Sequence, residues 1–425
     1  MISRIKFKQK NLPHTLTSNK LKIFNDPIYG FISLPNELIF DLIQHPYFQR
    51  LRRISQMGLT HLVYPGAHHT RFHHALGALH LMQKAVQTLK LKGVVFSEEE
   101  ENALYIAILL HDIGHGPFSH ALENSIVNGI SHEKISLFFM NSLNHIFEGK
   151  LSLAIQIFKG EYHREFMLQL VSSQLDMDRL DYLKRDSFYS GVAEGNINSD
   201  RLIQMLNIQN ENLVVEEKGI YSIEQFLIAR RLMYWQVYLH KTSVVAEMML
   251  TKILKRAKEL SQKGVVLQCS ASLQFFLEHK IFEDSFDKQT LENFALLDDF
   301  DVWSAIKNWQ FDDDFVLSSL SKMILNRDLL KIKFFDEKPS TEIIENYVKK
   351  VSSLFNISEK EATYFSFKGK LKNQAYNKEN EPISILRKDK IVENIYDSTD
   401  QSQLRALSKL VTKYYICFPK VLYDM

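Results

Sequence analysis

Apolar residues recur along most of this chain three and four positions apart, the spacing of helices that bury one face. Asn36 to Gln44 predicts a short helix stopped before Pro46, and Pro46 opens the next, Tyr47 to Gln56, from its first turn. Thr70 to Lys90 predicts a long helix with Leu76, Leu79, Met82 and Val86 as its apolar stripe. Ser97 caps the following helix, and Glu98 to Glu101 set acids at its positive end. That run stays apolar into His111-Asp112, where Gly114, Gly116 and Pro117 break it. Further helices are expected at 119–127, 132–144, 162–175 and 178–185. Leu213 to Glu216 reads as a strand followed by a Lys218-Gly219 turn. Ser222-Ile223-Glu224-Gln225, a capping-box pattern, then opens one long helix to about Arg256, and helices continue to about Asn326.

The texture changes near Lys331. Lys331 to Phe335, Thr363 to Phe367, Ile383 to Arg387 and Tyr414 to Phe418 read as short strands, with helices near Thr341 to Leu354 and Gln401 to Leu410 between them. The expectation is a mainly α protein: a basic tail over 1–20, a helical body over 21–330 and a smaller α+β C-terminal lobe over 331–425.

Composition narrows the function. With Lys+Arg 52 against Asp+Glu 50, the net charge of +2 excludes a basic coat for wrapping nucleic acid, so a polyanion site must be a local gathering of cations. Cys269 and Cys417 are the only cysteines, which excludes a disulfide framework and a cysteine zinc site and suits a reducing cytoplasm. The longest apolar run, near Ala103 to Leu110, is far short of the roughly 20 residues of a membrane span, and the basic start lacks the apolar core of a signal peptide. Eleven of the 16 histidines lie between His61 and His145. Histidine is the commonest metal ligand and the acid–base group of neutral pH, so that window holds the candidate chemistry.

Within it, His111-Asp112-Ile113-Gly114-His115-Gly116 ends a buried apolar run, where an Asp is costly unless paired or bound to a metal. Upstream lies Arg71-Phe72-His73-His74, and downstream Asp176-Met177-Asp178-Arg179-Leu180-Asp181-Tyr182. Two imidazoles and two carboxylates from three helices make a mixed N/O set suited to one divalent Mn, Fe, Ni, Co, Zn or Mg ion. Such an ion polarises a phosphoryl oxygen and acidifies water. The acidic segments Asp298-Asp299-Phe300-Asp301 and Asp312-Asp313-Asp314 are read instead as helix caps and solvated faces.

The order His, His-Asp, Asp resembles the signature of HD-superfamily metal-dependent phosphohydrolases. Asn25-Asp26-Pro27-Ile28-Tyr29-Gly30, Phe48-Gln49-Arg50-Leu51-Arg52-Arg53-Ile54, Tyr64-Pro65-Gly66-Ala67 and His111 through His120 are similar to its deoxynucleoside triphosphate triphosphohydrolase branch. That branch includes bacterial dGTPase-like proteins and the mammalian sterile-alpha-motif/HD enzyme. The resemblance, over about residues 21 to 335, implies an HD helical bundle that hydrolyses dNTPs to deoxynucleoside and inorganic triphosphate. It implies metal ligands His74, His111, Asp112 and Asp178, catalytic His115 and His132, and Glu123 as their acidic partner. Arg71, His120, Arg179 and Arg230 would meet phosphates; Tyr182, Asp186, Gln56 and Tyr238 would meet the sugar. Leu239 stands where the related enzyme has Gln, and Arg179 where others have Lys.

The family also uses an added nucleotide, with its Mg, between subunits of a dimer or tetramer. Lys22, Asn25, Gln49, Arg52, His240, Lys241, Arg327 and Lys331 resemble parts of such a pocket, with Gln44 where the mammalian enzyme reads guanine through Asp. Two other outcomes stay open at this level. One is a different HD chemistry, a nucleoside monophosphatase or phosphodiesterase; the other is a non-catalytic oligomer that senses nucleotide or binds nucleic acid.

Overall fold

The computed structural model describes residues 22–118, 122, 125–127, 129–377, 382–398 and 407–423. The tail expected at 1–20 lies outside these residues, as does most of the helices expected at 119–127 and 401–410.

The site is carried by seven helices: α1 (Arg71–Leu91), α2 (Glu98–Leu110), α3 (His132–Ile146), α4 (Met177–Ser190), α5 (Ile220–Met233), α6 (Lys241–Ser261) and α7 (Asp299–Trp309). α1 is the centre, packed on α2 and on α4. Its expected stripe is buried, but so are Ala75, Ala78, Leu81 and Ala85 on its other sides. A helix buried nearly all round belongs to the core of the body. α2 starts as expected: the Ser97 hydroxyl accepts from Glu100 N, and Ser97 N donates back to Glu100 Oε2 at 2.8 Å. No helix of the described residues is long and apolar enough to cross a membrane.

Among the described residues nine short strands form three sheets. They are β1 (Ile23–Asp26), β2 (Gly30–Ser33), β3 (Leu206–Gln209), β4 (Asn212–Glu216), β5 (Lys331–Phe335), β6 (Phe367–Asn373), β7 (Ser384–Leu386), β8 (Val392–Asn394) and β9 (Val411–Phe418). β1 and β2 make a hairpin. β5, β9 and β6 form an antiparallel sheet with β9 in the middle. The third sheet runs β3-β4-β7-β8, and its β4–β7 pair is parallel, with Val215 opposite Ile385.

Several expected elements change on folding. The helix opened by Pro46 stops at Gln49 and tightens into a 3-10 turn over Arg50–Arg53, because the Arg50 side chain turns inward. The helix expected over 162–175 forms only at Glu165–Val171. The long helix expected from Ser222 to Arg256 is two: α5 begins at Ile220, passes into a π turn at Tyr234–Tyr238, and α6 restarts behind His240, whose Nδ1 accepts from Thr242 N. Ser222 therefore lies inside the first turn of α5 rather than at its cap. The strand expected at Thr363–Phe367 lies at β6, because Ser358 caps a helical turn over Glu359–Ala362.

The acidic segments do cap helices: Asp298 caps α7 with Asp301 returning to its N–H, and Asp314 caps the helix Phe315–Leu325. Asp299 corrects that reading. It is buried rather than solvated, and accepts from Ser55 N at 2.8 Å and Phe118 N at 3.3 Å. It ties the turn after Arg53 to the loop that follows His115.

Candidate active site

Three chain segments bring four donors together. His74 stands in the first turn of α1, His111 and Asp112 at the end of α2, and Asp178 in the first turn of α4. His74 Nε2 lies 3.3 Å from His111 Nε2 and 3.0 Å from Asp178 Oδ1. His111 Nε2 lies 3.4 Å from Asp178 Oδ1 and 3.5 Å from Asp112 Oδ1; Asp112 Oδ2 is 3.7 Å from His74 Nε2. His74, His111 and Asp112 are buried.

The far side of each imidazole is occupied. His74 Nδ1 bonds Asp181 Oδ2 at 2.8 Å, and His111 Nδ1 bonds the Ile108 carbonyl at 2.6 Å. Both acceptors require a proton on Nδ1, so in the neutral rings the two Nε2 lone pairs face one another and the carboxylates. Lone pairs and carboxylates converging at this separation repel unless a cation stands among them, so the residues fit a divalent metal. The same carboxylates favour positive charge at this point, a proton where no metal stands. Burial favours neutral His74, yet Asp178 and Asp181 outweigh it and lift the ring to about 10. Burial opposes ionisation of Asp178 too, but His111 and His74 hold it well below the usual carboxylate range.

Asp181 was in the motif but had no assigned role. It also takes Arg185 Nε at 2.9 Å and Nη2 at 3.0 Å, while Arg185 Nη1 reaches Asp26 Oδ2 of the hairpin at 2.7 Å. This buried chain, hairpin to Arg185 to Asp181 to His74, fixes the His74 ring from behind. Gly77 makes room for it: a Cβ there would collide with the Asp181 carboxylate and the Arg185 guanidinium. Gly114 has a similar task, since its Cβ would meet the His132 carbonyl and Ser136 N where the loop crosses α3. Arg50, also fully buried, donates to the His115 carbonyl from both Nη1 and Nη2 at 2.8 Å.

His115 and His132 come together. Their rings stack at 3.9 Å, and His115 Nε2 lies 3.2 Å from Asp112 Oδ1. Burial, then the Arg71 guanidinium, push His115 down to about 3, so its ring is neutral. His132 Nε2 is 3.2 Å from Oε1 of its neighbour Glu133, an acid the sequence reading did not single out. His120 and Glu123 lie outside the described residues.

The remaining expected residues surround this centre. Arg71 pairs with Asp112. Arg179 is held by Asp176 Oδ2 at 3.2 Å and the Ser173 carbonyl. Arg230 is buried, and its Nε and Nη1 have no hydrogen-bond partner among the described residues. Tyr182 stands edge-on to His74 at 6.5 Å and to Tyr238 at 6.2 Å, and burial pushes its hydroxyl well up against the opposing pull of Arg179 and Arg230. The Tyr238 hydroxyl, aimed by the π turn, donates to Asp186 Oδ2 at 2.7 Å. Gln56 donates its backbone N–H to the His69 carbonyl, and its Oε1 is buried without a partner among the described residues.

The residues matched to a regulatory pocket fall in two groups. Near the hairpin, Lys22 lies over the Phe40 ring, Asn25 is in β1, and Arg52 bonds Gln49 and covers Phe72. The second group has His240 and Lys241 at the start of α6, Arg327 on the Leu62 carbonyl, and Lys331 in β5.

Comparison with known proteins adds the following. The model of the HD domain matches residues 71–186, and that of the HD associated region matches 197–268. An uncharacterized Bacillus subtilis protein, YwfO, is 33% identical over 351 residues, 81% of this chain and 78% of that protein. The Dictyostelium discoideum deoxynucleoside triphosphate triphosphohydrolase SAMHD1 homolog is 31% identical over 257 residues, 56% of this chain and 50% of that protein. The crystal structure of a phosphohydrolase from Bacteroides thetaiotaomicron is 51% identical with a TM-score of 0.91, covering 94% of this chain and 100% of that one.

Proposed function

The chain belongs to the HD superfamily of phosphohydrolases, in its dNTP triphosphohydrolase-like branch, and from that membership we propose that it hydrolyses deoxynucleoside triphosphates to deoxynucleoside and inorganic triphosphate. One observation carries the substrate reading. Asp178, Tyr182 and Asp186 repeat at four-residue steps along one face of α4. At 1.5 Å per residue they span about 12 Å, from the metal donors past an aromatic ring to a carboxylate. A nucleotide laid along that face sets its α-phosphate at Asp178, its sugar on Tyr182 and its hydroxyl at Asp186. By its family resemblance, Tyr182 against the sugar would exclude a 2′-hydroxyl.

His74, His111, Asp112 and Asp178 would hold the metal, which when bound supplies Lewis acidity at a phosphoryl oxygen. Arg71, Arg179 and Arg230 neutralise the triphosphate. A water oxygen bonds to the α-phosphorus and gives up a proton, the bond from that phosphorus to O5′ breaks, and O5′ takes a proton in exchange from an imidazole. The His115–His132 stack provides that group. His115 is neutral at rest first because it is buried and then because Arg71 faces it; a triphosphate that engages Arg71 relieves the second effect and makes the ring easier to protonate.

The regulatory reading is also a proposal. The two groups around Lys22, Asn25, Gln49 and Arg52 and around His240, Lys241, Arg327 and Lys331 would join across a subunit contact, with an activating nucleotide between copies of the chain.

The test is a product assay on the purified protein with Mn²⁺ and each dNTP, with and without GTP. Triphosphate and deoxynucleoside are expected. Pyrophosphate or single phosphate without triphosphate overturns the reaction.

A further inference from the structure

Asp186 ends the α4 face farthest from the metal donors, and a histidine outside every motif role fixes it. His69 Nε2 lies 2.6 Å from Asp186 Oδ1, and both side chains are buried. A carboxylate accepts, so Nε2 carries the proton. With Tyr238 on Oδ2, the carboxylate is clamped at both oxygens. The His69 ring is itself held, stacked on Tyr189 at 4.4 Å with 17° between planes. Its carbonyl receives the Gln56 N–H at 3.0 Å, and Arg71 N donates to Ile54 O at 3.0 Å in the same pairing of segments. His69 therefore sits where the Gln56, Arg71 and Asp186 segments meet.

The ring keeps a cost. His69 Nδ1 is buried with no partner among the described residues, so it gives up hydration without a hydrogen bond in return. A purely packing position would be better filled by a Phe. We propose that His69 is a positioning residue: it holds the Asp186 carboxylate toward the sugar 3′-hydroxyl and so sets the preference for nucleotides that carry one. The inference rests on the triphosphohydrolase reading, for in a deoxynucleoside 5′-phosphate the 3′-hydroxyl is the sugar's one free donor. Each carboxylate oxygen accepts at two positions, so an Asp186 clamped by His69 and Tyr238 still offers lone pairs to that donor. A pre-aimed acceptor spares the ordering cost that a free carboxylate would incur on binding.

The experiment compares kcat/KM for a dNTP and its 2′,3′-dideoxy counterpart in wild type, His69→Phe and His69→Gln. His69→Phe keeps the stacked ring and removes the donor; His69→Gln keeps an N–H. In His69→Phe the ratio of the two substrates is expected to fall about tenfold, through loss on the dNTP alone, and in His69→Gln to recover most of that. An unchanged ratio, or equal losses on both substrates, overturns the role. Should His69→Phe not fold, Tyr189→Leu removes the ring's support and carries the same test, with a smaller fall expected and an unchanged ratio overturning. Wild type that makes no triphosphate from dNTPs sinks the underlying reading and this inference with it; wild type that does, with an unchanged ratio in the variant, sinks only the inference.

Discussion

At the scale of single residues, two acids outside the proposed ligand set control the site. Asp181 bonds His74 Nδ1 and Arg185, so it aims the ligand ring and makes it more basic. Asp181→Asn keeps the shape and removes the charge. Metal affinity is expected to fall about 10- to 100-fold, read by calorimetric titration with Mn²⁺; wild-type affinity in a folded variant would count against the arrangement. Asp299 works through the loops. Burial lifts its carboxyl to about 6, against an unfolded value near 3.9. A folded value above the unfolded one means that its contribution is full below about pH 4 and lost as pH rises through 6. The stability lost in Asp299→Ala should therefore be greater at pH 5 than at pH 7, by about 1 kcal/mol. Urea melts at the two pH values measure it, and a pH-independent difference contradicts the shift.

At the scale of elements, local signals were legible and tertiary ones were not. Ser97 with Glu100 marks the start of α2 in the sequence because a cap is satisfied within four residues. The same holds for Asp298 and Asp314. The four candidate donors were legible because two histidines and two aspartates in a fixed order resemble a family signature, and the fold brings them to one point. The break between α5 and α6 was not. Apolar spacing continues through Tyr234–Tyr238, and the π turn there aims Tyr238 at an acid 52 positions away. The hairpin could have been found: Asp26 Oδ1 accepts from Ile28 N and Tyr29 N, and Gly30 has φ +74, an Asp-Pro turn ended by glycine. The histidine density also has more meaning than its ligands. His73 Nδ1 accepts from Thr70 N at the start of α1, His61 packs on His68, and His80 lies by Tyr29. His69 left no local sign, since its partner Asp186 is 117 positions away.

At the scale of the whole molecule, the C-terminal segments are built into the helical body. β7 pairs in parallel with β4, and Arg387 reaches Glu217 at 2.8 Å. Gln174 and Asn377 exchange side-chain and backbone hydrogen bonds, and Lys252 of α6 donates to the Thr363 carbonyl at 3.0 Å. Gln174 stands two residues before Asp176, which caps α4 and so sets Asp178. Strands after residue 330 are thus a few bonds from the metal donors. A cation that binds only the folded site stabilises whatever melts together with it, by about 2.7 kcal/mol at a hundredfold excess over Kd. For a cooperative unit of this length that is a rise in Tm of roughly 3 °C. Scanning calorimetry of the full chain is expected to show one transition that moves up as a whole with Mn²⁺ and returns with chelator. If the segments after 330 melted separately, a second transition would stay fixed while the first moved. That outcome would mean that β4–β7 pairing and the Gln174–Asn377 bonds do not couple the lobe to the site.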